Sequence, residues 1–260
     1  MDTNRLFRPL VALLIAAGAF FGLAPFLAPA TFASLTGFVG SDQFVYRLAG
    51  AATFAYAVGL SVGWRASWAE LRIPIASTFM FNAASIAACL VALASGGQLI
   101  VLVILVASVL FTSGTGVLLR RPPLGVTGPE RPELDHPIAS WLTAPFVIGV
   151  AAATVFALAP LVFGGGFGTF LGYSGSDDFV YRQAGAATLG AAVGGVLVLS
   201  SRRWSAARLP ALMALTFNGL SVVAALIEIA AGGQPVALLI LAAAGLTTVG
   251  MAAALVRGGR

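Results

Sequence analysis

The chain is a series of long apolar runs separated by short polar or glycine-rich breaks. A membrane-spanning helix needs about 20 predominantly apolar residues, and eight runs are long enough. They cover approximately residues 9–30, 43–63, 74–95, 98–119, 139–163, 178–200, 210–231 and 235–256. Pro74 and Pro210 are predicted to mark helix starts, and Gly96-Gly97 and Gly232-Gly233 are typical of tight hairpins. The pattern predicts an all-α integral membrane protein with eight transmembrane helices.

The composition excludes an ordinary water-soluble globule. Hydrophobic residues make up 59% of the chain and charged residues 9%, against roughly 25% charged residues in a soluble domain. So little polar surface cannot cover a soluble globule, and lipid is the expected solvent. The single cysteine, Cys89, has no metal-ligand companions and is predicted to be a small core residue. Because no catalytic, metal or nucleotide motif is recognisable, we expect no cofactor, and an enzyme is the least favoured class.

The arginines predict the orientation of the chain in the membrane. All 14 basic residues are arginine, and the formal net charge is +5. If the eight runs alternate in direction, Arg47 and Arg182 lie on one side and the other twelve lie opposite, on the side that the positive-inside rule makes cytoplasmic. We therefore expect a multi-pass protein of the cytoplasmic (inner) membrane with both termini cytoplasmic. The arginines lie in short loops rather than on one face, which argues against a nucleic-acid partner.

The first run has a competing interpretation. Arg5, Arg8, the apolar stretch and Ala28-Pro29-Ala30 together imitate a cleavable signal peptide. However, Leu23-Ala24-Pro25 recurs as Leu158-Ala159-Pro160 in the fifth run, which cannot be a signal. A retained first span is therefore the expectation.

The two halves of the chain form a tandem repeat. Residues 40–53 and 175–188 are identical at 12 of 14 positions, and polar residues farther along match at nearly the same offset. Each repeat holds four spans, an even number, so two parallel four-helix repeats related by a pseudo-twofold axis along the membrane normal are expected. The predicted domains are a first repeat at 1–120, a cytoplasmic linker at 121–137 and a second repeat at 138–260. The proline-rich, charged linker is expected to be extended and solvated.

The most specific motif is the repeated Gly-Ser-Asp-x-Phe-Val-Tyr-Arg stretch, which opens the second and sixth spans at the predicted outer face. Its structural interpretation is helix capping, because Asp42 and Asp177, or the serine before each, can accept hydrogen bonds from first-turn N–H groups. Asp178 and Arg182 stand four residues apart in the favourable order for a helix ion pair. Its functional interpretation is a paired anion site at Arg47 and Arg182, because the guanidinium fork suits carboxylate or phosphate.

Polar residues also occur inside the third and seventh spans. Asn82 and Asn218 lie near mid-membrane, where an unpaired amide is costly, so each must face protein or a wet cavity. An interhelical hydrogen bond and a path for a polar ligand are both open interpretations. Glu228, whose first-half equivalent is Ala92, is predicted to pair with Arg47 or Arg182.

Small residues predict where helices approach closely. The second and sixth spans carry Gly59-x-x-x-Gly63 and Gly190-x-x-x-Gly194. Glycines four residues apart let helix backbones pack tightly in lipid. We expect these two spans to form a tight central pair along the interface between the halves.

The motif Tyr46-Arg47-Leu48-Ala49-Gly50-Ala51-Ala52-Thr53, followed by a tryptophan–arginine loop and Phe81-Asn82, resembles small bacterial four-span membrane proteins of the DoxX-like group, here fused in tandem. The resemblance covers each half. It implies a four-helix membrane unit and no particular activity.

Two functional hypotheses follow. The first is a protein that binds or transports a small polar or anionic molecule, or a lipid, between its two halves, with membrane lipid as a partner. Its candidate ligand-binding residues are Arg47, Arg182, Glu228, Asn82, Asn218, Asp42 and Asp177. The second is a structural or accessory subunit of a larger membrane complex or a homo-oligomer, in which the same polar residues only hold helices together.

Overall fold

The computed structural model describes residues 3–175 and 177–257, and ten α-helices form over these residues. Ser176, one of the candidate capping serines, and Arg260, one of the twelve arginines expected on the cytoplasmic side, lie outside the described residues. The helices are α1 (Thr3–Leu27), α2 (Pro29–Thr36), α3 (Gln43–Val62), α4 (Trp68–Ala94), α5 (Leu99–Arg120), α6 (Ser140–Phe163), α7 (Gly165–Leu171), α8 (Asp178–Ser201), α9 (Trp204–Ala230) and α10 (Val236–Arg257).

Eight of these helices are long and apolar enough to cross a membrane: α1, α3, α4, α5, α6, α8, α9 and α10. Large apolar side chains such as Leu102, Leu110 and Leu246 are exposed on their outward faces, as contact with lipid requires. The prediction of an all-helical, multi-pass membrane protein is therefore confirmed.

Two short helices, α2 and α7, are absent from the sequence prediction. The predicted first span ran to residue 30, but α1 ends at Leu27 and a new helix begins with Pro29 at its first position. Gly164, with φ +53, separates α6 from α7 in the same way. The predicted fifth span already ended at residue 163, whereas the first was predicted too long because residues 28–30 are as apolar as the run before them.

The prediction that Pro74 and Pro210 mark helix starts was wrong. The helix α4 begins at Trp68 because Ser67 and Glu70 form a reciprocal capping box, which satisfies two otherwise free groups of the first turn. The helix α9 begins at Trp204, whose N–H donates to the carbonyl of His136 at 2.9 Å. Both prolines therefore lie in the second turn of their helices.

Helix contacts follow the same scheme in both halves. Within each half, the first span packs on the second (α1 on α3, α6 on α8) and the third on the fourth (α4 on α5, α9 on α10). Between the halves, α3 packs on α9 and α4 packs on α8. The second and third spans of each half are therefore central, and the first and fourth spans lie at the periphery.

Glycines permit these close helix crossings, but not always with the predicted partner. A Cβ on Gly50 would lie 2.5 Å from the carbonyl oxygen of Gly22, so α1 and α3 need glycine there. Gly59 faces Met213 of α9, Gly190 faces Tyr56 of α3 as well as α4, and Gly194 faces α4. The glycine faces of the second and sixth spans thus pack mainly on the third spans of the opposite halves, rather than only on each other.

The linker is exposed at most of its positions, as predicted, but it is folded back onto the helices rather than extended. Its Gly128 N–H donates to the carbonyl of Ala66 at 2.9 Å, and Ile138, just after it, donates to the carbonyl of Arg202 at 3.0 Å. The first of these contacts belongs to the loop before α4 and the second to the loop before α9. The carbonyl groups of these two loops are left without helical partners, and the backbone of the linker and of the residue after it supplies the N–H groups that satisfy them. The composition of the linker does not reveal these bonds.

Candidate functional site

A cluster of reciprocal hydrogen bonds joins the two halves at the end of the bundle that carries the repeated motif. We call Asp42, Tyr46, Asp177 and Tyr181 the outer clasp. Asp177 accepts the hydroxyl of Tyr46 at 2.6 Å and the N–H groups of Val39 and Gly40 at 3.0 and 2.7 Å, all from the first half. The Asp177 side chain makes no capping bond to its own helix; it binds the loop before α3 in the opposite half instead.

Asp42 makes the matching contacts in the other direction. Its carboxylate accepts the Tyr181 hydroxyl at 3.0 Å and the Gly175 N–H at 3.3 Å, both from the second half. It also caps its own helix α3, as predicted, by accepting two first-turn N–H groups at 3.1 and 3.2 Å. Asp42 is fully buried and Asp177 is 6% exposed, so these bonds form away from water.

The backbone around the clasp needs glycine. Gly40 has φ +68, a conformation that side-chain-bearing residues rarely adopt. A Cβ on Gly175 would overlap the Cβ of Asp42. Tyr173, in the loop before α8, packs against Phe44 and Tyr181, and burial raises the pKa of its hydroxyl. Tyr173 therefore stays neutral and adds no second negative charge beside Asp42.

The predicted arginine pair does not form one symmetrical site. The Arg182 guanidinium donates to Asp178 at 2.8 Å, which confirms that predicted ion pair, and to the carbonyls of Leu161 and Val162 at the end of α6. Arg47 is half-buried and has no hydrogen-bond or ion-pair partner among the described residues. The halves differ because the acidic position four residues before the arginine is glutamine in the first half.

The predicted ion pair of Glu228 was wrong. Among the described residues no ion pair joins Glu228 to Arg47 or Arg182. Instead its carboxylate turns back on its own chain and accepts the N–H of Gln234 at 3.3 Å. This bond closes the hairpin between α9 and α10, because it satisfies a loop N–H that the helices leave free.

The first cavity, of about 130 Å³, lies among the four spans of the first half, with α8 of the second half as an additional wall. Its lining is mostly apolar and none of the described lining residues is charged. The polar positions come from α3, α4 and α5 of the first half and from α8. They include Thr53, Thr78, Asn82, Ser85, Ser108 and Gln183.

The second cavity, of about 230 Å³, lies among the spans of the second half, with α3 as the main wall from the first half. Its lining is again mostly apolar and, among the described residues, uncharged. Its polar positions include Ser77, Thr188, Asn218, Ser221 and Thr247. The two predicted asparagines are therefore brought to separate cavities, one in each half, and the predicted charged residues to neither.

The asparagines present a free acceptor to these cavities. The amide Nδ2 of Asn82 donates to the Thr78 carbonyl at 2.8 Å, and that of Asn218 donates to the Ala214 carbonyl at 2.8 Å. No described residue donates to either amide oxygen. Asn82 is only 6% exposed. An amide oxygen in such a position is costly unless something donates to it.

No protein-family model, curated protein or solved structure matches the chain. The chemistry of the cavities and of the clasp therefore carries the functional assignment.

Several residues of these sites were missed from the sequence. Tyr46 and Tyr181 stand in the repeated motif, and their conservation between the halves was the available signal for the clasp. Gln183 is one of two positions at which the motif differs, and its amide oxygen accepts the Ser85 hydroxyl. Glu70 carries a recognisable signal, because Ser67-x-x-Glu70 is a capping-box pattern.

Glu70 is the centre of an ion-pair cluster at the opposite end of the bundle. Its side chain is 1% exposed and its carboxylate pairs with Arg131 of the linker and with Arg208 of α9, the latter at 3.3 Å. We call Glu70, Arg131 and Arg208 the inner cluster. It joins the first half, the linker and the second half, so both ends of the bundle carry polar bonds between the halves.

Proposed function

We propose that this polytopic membrane protein binds or carries a lipid-soluble molecule that has one small hydrogen-bonding group. The observation that carries the proposal is the free amide oxygen of Asn82 in an apolar cavity. Ligand sites are commonly apolar clefts with a few placed polar groups. A ligand hydroxyl would satisfy the Asn82 oxygen, and the rest of the ligand would fill the apolar space.

The cavities favour such a ligand over a small anion. A bound anion needs cationic side chains or several N–H donors, and the described cavity linings contain no charged group. Arg182 is already engaged by Asp178 and two carbonyls. Asp42 and Asp177, which were predicted as ligand-binding, accept hydrogen bonds from the opposite half. Lipid, among the predicted partners, fits the observed chemistry best.

We also propose that the two halves are parallel repeats related by a pseudo-twofold axis along the membrane normal. This arrangement is supported by the 12 matching positions out of 14 in the motif, by the equivalent helix contacts, and by the reciprocal bonds of the outer clasp. Each cavity then has walls from both halves, since α8 borders the first and α3 borders the second. The ligand sites lie mainly within each repeat, rather than in one central vestibule.

We also propose an inner-membrane location with the arginine-rich end cytoplasmic, and labelling can test this orientation. In a Cys89→Ser background, Ser95→Cys reports on the hairpin after α4 and Glu130→Cys on the linker, both at exposed positions. A membrane-impermeant maleimide should label Ser95→Cys in intact spheroplasts and Glu130→Cys only after lysis. Labelling of Glu130→Cys in intact spheroplasts would show the opposite orientation.

Photoaffinity labelling tests the binding function. A long-chain alcohol that carries a diazirine should label cavity residues such as Phe81 and Ile104 in protein reconstituted in nanodiscs, and excess unlabelled alcohol should compete. Asn82→Leu should lower the labelling of the first cavity roughly fivefold, because one hydrogen bond contributes about 1 kcal/mol. Gln98→Leu, a similar change on the exposed outer hairpin, is the control.

Labelling outside the cavities would contradict the binding function. Adducts confined to lipid-facing residues such as Leu102 and Leu110, without competition, would leave the cavities unused. Thermal stability of Asn82→Leu should be measured in parallel, since loss of labelling in a well-folded variant is the supporting result.

A structural or accessory subunit is the second candidate, and the polar bonds between the halves favour it. Asp42, Asp177 and Glu70 all have partners inside the chain, as helix-holding residues should. Native mass spectrometry of gently extracted protein separates the two functions. A retained lipid-like molecule supports binding, whereas stoichiometric partner polypeptides without such a molecule support the subunit.

A further inference from the structure

We infer that the two cavities have diverged in size, so that the first takes a slim chain and the second takes a bulkier, ring-containing or branched molecule, each with a small hydrogen-bonding group. The inference rests on the proposed binding function. Most lining positions are equivalent in the two halves. Phe21, Pro25, Phe81, Asn82, Ser85 and Ile104 of the first cavity correspond to Phe156, Pro160, Phe217, Asn218, Ser221 and Ile240 of the second.

The differences remove bulk from the second cavity. Where the first cavity has Tyr56 and Leu60 on α3, the second has Ala191 and Gly195 on α8. Phe111 on α5 is likewise replaced by Thr247 on α10. The second cavity is accordingly about 230 Å³ and the first about 130 Å³. An apolar cavity of about 150 Å³ accommodates benzene, so the first cavity suits a chain or a single small ring and the second a larger group.

The free polar groups differ in position but not in number. Ser108 is 3% exposed and lines the first cavity, and its hydroxyl has no hydrogen-bond partner among the described residues. Its equivalent in the second cavity is Ala244. The first cavity also contains Gln183, whereas the equivalent residue in the second is Leu48. The second cavity has a hydroxyl of its own without a partner among the described residues, that of Ser77, which is 2% exposed. Each cavity therefore offers one serine hydroxyl and one asparagine oxygen, and the two sites differ chiefly in size.

Tyr56 separates the two sites. Its side chain lines both cavities, its hydroxyl donates to the carbonyl of Ala187 at 2.6 Å, and its ring stacks on Phe81 at 5.1 Å between centroids. A tyrosine anchored at both its hydroxyl and its ring forms a fixed wall. The cavities therefore act as two sites for two molecules rather than as one chamber.

Two photoprobes of different shape test the divergence in nanodisc-reconstituted protein. A straight-chain alcohol with a diazirine should label both cavities, while a polycyclic alcohol of two fused rings with a diazirine should label only the second. Labelled positions are read by mass spectrometry, since residues of α4 and α5 report the first cavity and residues of α9 and α10 the second. Competition with the unlabelled alcohols distinguishes binding from labelling by lipid contact.

A reciprocal exchange then assigns the selectivity to named residues. Thr247→Phe should lower polycyclic labelling of the second cavity roughly tenfold, because adding a large side chain to a filled site costs about 1–3 kcal/mol. Phe111→Thr should allow the polycyclic probe into the first cavity. The controls introduce the same new residues at lipid-facing positions of the same helices. They are Val249→Phe and Leu110→Thr, whose native side chains are 68% and 64% exposed.

The outcomes separate this inference from the function on which it rests. Competed labelling of both cavities by both probes, unchanged in the exchange variants, would overturn the divergence and leave the binding function standing. Absence of competed labelling by either probe would overturn the binding function itself. If Thr247→Phe does not fold, Phe111→Thr still decides, because failure of the enlarged first cavity to admit the polycyclic probe contradicts the inference.

Discussion

Asp177→Asn is expected to lower the free energy of unfolding by about 3 kcal/mol. The carboxylate of Asp177 accepts three hydrogen bonds from the first half, two from backbone N–H groups and one from Tyr46. Hydrogen bonds to a charged group contribute about 1.5–3 kcal/mol each. Asparagine keeps one acceptor oxygen but turns an NH₂ group toward N–H or O–H donors, so at least one buried donor loses its partner.

Equilibrium unfolding in mixed micelles of dodecyl maltoside and sodium dodecyl sulfate measures this effect. Asp178→Asn is the matched control, since the adjacent carboxylate is 55% exposed and its partners, Arg182 and the Gly165 N–H, belong to its own half. Exposed pairs contribute at most about 1 kcal/mol. Equal effects of the two substitutions would show that the outer clasp adds no particular stability.

A double-mutant cycle assigns the energy to the contact between the halves. Tyr46→Phe removes one donor to Asp177 without changing the volume of the side chain, and Tyr181→Phe does the same for Asp42. The effects of Tyr46→Phe and Asp177→Asn should be less than additive, because both remove the same bond. Tyr181→Phe and Asp177→Asn share no bond and should be closer to additive.

The sequence predicted the class of fold because that class depends on long apolar runs and on nothing more specific. All eight runs correspond to spanning helices. The boundaries were less accurate, since they depend on individual caps. Ser67 and Glu70 start α4 well before Pro74, and the Ala28-Pro29 step divides what looked like one run.

The candidate site was harder to predict because partners come from the opposite half. The motif showed that Asp42 and Asp177 could cap helices, which Asp42 does for its own helix. That Asp177 would bind the loop before α3 and Tyr46 of the other half depends on how α3 and α8 lie together, and no local pattern contains that information. The asparagines were correctly expected to face protein or a cavity, since their position in the spans allows nothing else.

The ends of the bundle are held by different chemistry. The outer clasp repeats in both halves, whereas the inner cluster is built once, because Ala206 occupies in the second half the position that Glu70 has in the first. The linker provides one ion pair to each half at this end. Its Arg131 binds Glu70 beside α4, and its Asp135 pairs with Arg203 beside α9 at 3.6 Å. The linker therefore acts as a polar strap across both halves.

Glu70→Gln is expected to destabilise the protein by about 2–4 kcal/mol, the second large effect. The Glu70 side chain is 1% exposed and its carboxylate pairs with two arginines from other parts of the chain. Removing one partner of a buried ion pair costs about 3–5 kcal/mol. The expected range is lower here because the side chains of Arg131 and Arg208 are 38% and 31% exposed, so water partly solvates them once the carboxylate is gone.

Salt dependence provides the sharper test of this assignment. Asp135→Asn is the control, because its pair with Arg203 is more than half exposed on both sides and should contribute less than about 1 kcal/mol. That small effect should vanish at high ionic strength, whereas the Glu70→Gln effect should persist, since salt screens buried pairs far less than exposed ones. A Glu70→Gln protein as stable as the native one, or an effect abolished by salt, would mean that the inner cluster is a surface feature and that helix packing between the halves holds this end together.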